Sequence, residues 1–170
     1  MKKIGFILLL CMMSLTIQGQ IQRKFFDFTL GVTNRQEVTS YFKARNIKTW
    51  LPEEDHFSVR YIRFGGNKWP VVYFYFYKNK LYLIYFSDSE NFTERGTLDA
   101  VWERIKLSLM SKYNSFYNDE KTTNNELIFE DSKTRLTYYY KYYQGKKSMS
   151  LIYEDKHLLL ESFIDEDDEL

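Results

Sequence analysis

Cysteine occurs once in the 170 residues, at Cys11. That position lies in an apolar leader, so once the leader is gone no disulfide can staple the fold. Proline occurs twice and so marks few breaks; Pro52 in "IKTWLPEED" is one. Histidine also occurs twice, at His56 and His157. Neither sits at HExxH or any comparable ligand spacing, which argues against a metal centre. The formal net charge is only +1 and gives no electrostatic footprint for nucleic acid. What remains to hold the chain together is burial. The material for it is aromatic: fifteen Tyr and fourteen Phe help bring aromatic content to 19%, and aromatics favour strands.

Long apolar runs are equally few. "MKKIGFILLLCMMSLTIQGQ" has two lysines, an apolar stretch over residues 4–17, then small and polar residues. That is the order of a secretory signal peptide, with a cut expected after Gly19. The stretch falls short of the roughly 20 apolar residues a bilayer span takes. A lipoprotein would use Cys11, but Leu10 stands where a small residue is required. Export to the periplasm or the extracellular space is the expectation. Removing residues 1–19 leaves 22 basic and 23 acidic residues, a net charge of −1. The remaining chain of about 150 residues is one domain in size and can bury about 68–70% of its unfolded surface.

The second run, "WPVVYFYFYKNKLYLIYFS" at residues 69–87, has two lysines at its centre. They exclude a transmembrane helix, and Asn79 between alternating runs signals a hairpin. With a two-residue turn at Lys78-Asn79, Phe76, Phe74 and Val72 face Leu81, Leu83 and Tyr85 on a dry side. Tyr77, Tyr75 and Tyr73 face Lys80, Tyr82 and Ile84 on a wetter one. A turn at Gly66-Asn67 would put Phe57, Val59 and Tyr61 on the dry side as well. "GVTNRQEVTSYFKARN" reads as a helix capped by Thr33 and Gln36, with Val38, Tyr41, Phe42 and Arg45 on one side. A second helix starts at Asn91 or, given Gly96, at Thr97. Its apolar stripe is Leu98, Val101, Trp102, Ile105, Leu109 and Tyr113. Three further strands follow: "ELIFE", "RLTYYYKYY" and "KSMSLIYE". A turn at Gln144-Gly145 places Arg135 opposite Glu154. "KHLLLESF" closes with a short helix or strand, and residues 164–170 form a frayed acidic tail.

The expected fold is α+β: an antiparallel sheet of six or more strands, covered on one face by two helices, in a tandem α-β-β-β plan with halves at about residues 24–90 and 91–163. "KFFDFTL" is the candidate seventh strand. The stretch "FTLGVTNRQEVTSYF" resembles the opening of BamE/SmpA-like outer-membrane assembly lipoproteins. The duplicated plan is similar to β-lactamase-inhibitor-protein-like domains, and "NKLYLIYFS" resembles small exported Bacteroidetes proteins. The resemblance implies a non-catalytic protein that binds other proteins through its sheet or loops.

No catalytic constellation stands out. The acidic groups Glu53-Glu54-Asp55 and Asp165 to Glu169 lack the spacing of a calcium loop and read as solvated charge. Glu130 and Glu154 share the wet side with Arg135 between them, which keeps an envelope hydrolase with a carboxylate site as the alternative. The favoured site is the wet face itself: Arg60, Ile62, Trp69, Tyr73, Tyr75, Tyr82 and Ile84, extended by Tyr139 and Tyr143. Such rings suit a protein partner in the envelope or outside the cell, or a glycan. No cofactor, metal or nucleic acid is expected.

Overall fold

The structure, a computed structural model, describes residues 20–167. The expected leader, Cys11, the cut after Gly19 and the last residues of the acidic tail lie outside them.

Three tight reversals organise the chain. Lys78 and Asn79 have φ of 46° and 59°, Gln144 and Gly145 of 51° and 75°, and Gly65 and Gly66 of 59° and 75°. Two successive positive φ values make the turn whose twist matches that of the strands it joins. The first reversal falls one residue before the expected Gly66-Asn67. These turns connect β4 (His56–Phe64), β5 (Asn67–Tyr77) and β6 (Lys80–Ser89), and then β8 (Thr134–Tyr143) and β9 (Lys146–Asp155). With β3 (Thr49–Trp50) and β7 (Glu126–Glu130) they form a seven-stranded antiparallel sheet ordered β3-β4-β5-β6-β9-β8-β7. The fold is α+β. "KFFDFTL" is not the seventh strand; it folds as a separate hairpin, β1 (Lys24–Phe25) with β2 (Phe28–Thr29), and β3 takes the sheet's outer edge.

The expected tandem α-β-β-β plan holds only in the second half: one helix precedes the four strands β3–β6, a second precedes the three strands β7–β9, and the two meanders meet at the β6–β9 seam. Helix α1 (Arg35–Ala44) starts one residue later than expected. Asn34, not Thr33, caps it, and Glu37, not Gln36, completes the capping box. Thr33 Oγ1 instead accepts from the Thr29 amide at 2.9 Å. Helix α2 (Arg95–Tyr113) starts without a side-chain cap. It buries Leu98, Trp102, Ile105, Leu109 and Tyr113 against the sheet, with Val101 partly buried. Trp102 stacks on Tyr138 at 4.2 Å, and burial pushes the Tyr138 phenol well above its ordinary range.

Alternation places Phe57, Val59, Val72, Phe74 and Phe76 in the core beneath these helices, as expected. It breaks at two points. Tyr75 pairs with Leu83 but Phe76 pairs with Leu81. Tyr82 is thus an extra residue in β6, a bulge that re-phases everything after it. Phe74 therefore faces Ile84 and Val72 faces Phe86, not Leu83 and Tyr85. Ile84 enters the core, and Leu83 and Tyr85 take the opposite side.

The second break is at Tyr61, whose φ is 59°. The residue opposite it in register is Pro70, which has no N–H to give the ladder. β4 and β5 change phase together, so Arg60 still pairs with Val71 and Ile62 with Trp69. Tyr61, expected in the core, is 55% exposed, while Ile62 and Trp69 turn inward.

The sequence predicts a short helix or strand and a frayed end here; the structure has one helix. α3 (Lys156–Asp167) continues through residues expected to fray. Asp155 caps it, its Oδ1 accepting from the His157 and Leu158 amides at 3.1 and 3.0 Å. α3 reaches the face opposite the core, where the Tyr77 hydroxyl donates to the Glu161 carbonyl at 3.3 Å.

Candidate functional site

The registers place the outward side chains in rows across the sheet. One row runs Glu130, Arg135, Glu154, Leu83, Tyr75, His56. The next runs Thr137, Ile152, Tyr85, Tyr73, Ser58, Trp50. A third runs Glu126, Tyr139, Ser150, Ser87, Val71, Arg60. Tall rings thus stand beside short side chains. Ser58, Thr137 and Ser150 are buried between them, while Tyr73, Tyr75, Tyr82, Tyr85 and Tyr139 are each half-buried.

The rings pack on one another. His56 stacks on Tyr75 at 4.9 Å and Tyr73 on Tyr85 at 5.6 Å. Tyr82 meets Tyr75 and Tyr77 edge-on at 6.5 and 6.4 Å. The Tyr85 hydroxyl lies 3.0 Å from Ser150 Oγ. At the outer edge Trp50 lies between Lys48 Nζ at 4.1 Å and the Arg60 guanidinium at 4.8 Å from its ring centre. Side-by-side packing limits the rotamers of each ring, so little freedom is lost when something lies on top.

Of the residues expected here, Arg60, Tyr73, Tyr75, Tyr82 and Tyr139 share this face. Trp69 does not. It is buried in the core, with Nε1 donating to the Phe64 carbonyl at 3.2 Å, because the phase change at Tyr61 and Pro70 turns it inward. Ile62 and Ile84 are inward for the corresponding reasons, and the Tyr143 side chain lies outside the described ones. Tyr77 is on this face opposite Lys80, as alternation predicts, while Trp50, His56 and Tyr85 join it without having been expected there. Trp50 sits in a two-residue strand, too short to show a period. Tyr85 was assigned to the dry side for want of the bulge.

Burial pushes the Tyr75 phenol up, as do the neighbouring Tyr73 and Tyr85. Burial likewise raises Tyr139 to about 12, against a hydrogen bond with Ser150 that lowers it. Both hydroxyls stay protonated at neutral pH and can donate as well as accept. At one end of the face two carboxylates flank Arg135. Burial would raise Glu130, but hydrogen bonds from Arg135 at 2.6 Å and Lys121 at 3.1 Å prevail and hold it at about 2. Burial raises Glu154, with Arg135 opposing and Glu130 reinforcing.

Opposite signs follow for stability. Glu130 stabilises the fold above its ordinary pKa, an effect lost as pH falls toward about 2. Glu154 stabilises only while protonated, and that contribution is lost as pH rises through its elevated value. Glu154→Gln should therefore raise the melting temperature at neutral pH, with the gain disappearing in acid, and Glu130→Gln should lower it. Thermal melts across pH check this; a destabilising Glu154→Gln at neutral pH would contradict the assignment.

Among the described residues no group of three or more His, Cys, Asp or Glu is arranged to hold a metal. No described helix is long and apolar enough to cross a membrane. Comparison with protein-family models, curated proteins and solved structures gives no match.

Proposed function

We propose that the chain is an exported, non-catalytic binding module that takes a protein partner on the aromatic face of its sheet. The observation that carries this reading is the row of mutually packed, half-exposed tyrosines opposite a phenylalanine core. Tyrosine offers rigid contact area with a polar tip at little entropic cost, and with Trp and Arg it dominates binding hot spots. Trp50 and Arg60 border the tyrosines. The leader supports export, to the periplasm or beyond.

The test uses residues 20–170 as bait in an envelope fraction. Substituting Tyr73, Tyr75 and Tyr82 together with Ser should abolish partner capture while the melting temperature stays nearly unchanged. Capture that survives the triple substitution would refute the reading. Release by soluble polysaccharide would make the partner a glycan.

An envelope hydrolase is the second reading. The opposed titration of Glu130 and Glu154 favours it, because an acid and a base need such a split. Against it, Arg135, Lys121 and Asn118 already occupy Glu130.

A further inference from the structure

On the other side of the sheet, between α2 and the β4–β5 turn, lies a cavity of about 270 Å³. Phe64, Trp69, Leu109 and Leu151 supply apolar walls. Its mouth is set by α2. Arg104, Ser108 and Lys112 line it at four-residue spacing, on one face of the helix, and all three are exposed.

The two cations are held in place by neutral groups. Arg104 donates to the Asn67 side-chain carbonyl, and Lys112 to that of Gln22 at 3.4 Å. An amide orients a cation without cancelling its charge. Two such cations, two turns apart above an apolar well, complement a ligand with an anionic head and an aliphatic tail. The head would exchange weak amide contacts for charge-assisted hydrogen bonds, and the tail would displace water from the rings below.

We propose that this cavity binds a medium-chain carboxylate, head at Arg104 and Lys112, tail toward Trp69 and Leu151. Length follows from volume. At about 30 Å³ for each water-sized group, the space takes roughly nine groups, an acid of about eight to ten carbons. This inference is independent of the aromatic face, which lies on the opposite side of the sheet.

Titration calorimetry with octanoate and octanol tests it. Octanoate should bind one per chain, at least about tenfold more tightly than octanol. Arg104→Ala and Lys112→Ala should each weaken octanoate about tenfold and leave octanol unchanged. Ser108→Trp should block both by closing the mouth. All three sites are exposed, so each variant should melt with the parent protein. No binding to the parent, octanoate no tighter than octanol, or binding unaltered in the Arg104→Ala/Lys112→Ala double variant would overturn the proposal.

Discussion

Replacing Phe74 with alanine is expected to cost about 3–5 kcal/mol of stability, or about 6–20 °C in melting temperature for a domain of this size. The ring is fully buried. It lies 5.3 Å from Phe42 of α1, 5.6 Å from Phe57 of β4 and 6.0 Å from Phe28 of the N-terminal hairpin. Three separate elements would have to collapse to fill the space, and none can move without leaving other contacts. The cost should therefore sit at the cavity-forming end of the range. Next along the strand, Tyr75→Ser should change stability by no more than about 1 kcal/mol, since its ring is half-exposed on the other face. Urea unfolding of the two variants provides the measurement. Equal losses at both positions would mean that adjacent residues do not occupy opposite faces.

Asp155→Ala is expected to have a comparable effect, about 3–5 kcal/mol, through charge and capping instead of packing. One carboxylate joins three parts of the chain. Its Oδ1 caps α3, and its Oδ2 accepts from the Arg23 guanidinium. Arg23 in turn donates to the Leu30 carbonyl at 2.7 Å, the Lys133 carbonyl at 3.1 Å and Thr134 Oγ1 at 2.9 Å. Gly31 lies against this pair with φ of 78°, and a Cβ there would strike the carboxylate. Removing the charge strands a largely buried guanidinium and uncaps a helix. Asp155→Asn keeps the cap and should retain more helical circular dichroism than Asp155→Ala. A loss below about 1 kcal/mol for Asp155→Ala would show that the cation finds compensation elsewhere.

Much of this organisation can be read from residue order, and the failures have physical causes. Lys78-Asn79 and Gln144-Gly145 identify their turns because few residue pairs tolerate two positive φ values. The central alternation of Phe74 and Phe76 with Tyr73 and Tyr75 follows from period two. A bulge leaves no such trace. Nothing local distinguishes Tyr82 from its neighbours; its extra place is decided by which register buries Ile84 and Phe86. Tyr61 is similar, since Pro70 marks the break only once it is known to lie opposite. Of the candidate site, Arg60, Tyr73, Tyr75 and Tyr139 lie within regular alternation and Tyr82 precedes the change of phase, so these are legible; Tyr85 lies beyond the bulge and is not. Trp69 lies beyond the phase change and was misplaced. Trp50 belongs to a strand created by pairing alone.

The β6–β9 seam bears on how the molecule is made. Ile84 pairs with Tyr153 and Phe86 with Leu151, so the centre of the sheet forms only after nearly all of the chain has emerged. Until then β6, paired only with β5, is a ten-residue edge with apolar side chains and one side of its backbone unpaired, a template for joining another copy of itself. Slow, long-range closure of that edge would prolong the interval in which the N-terminal half can pair with another copy.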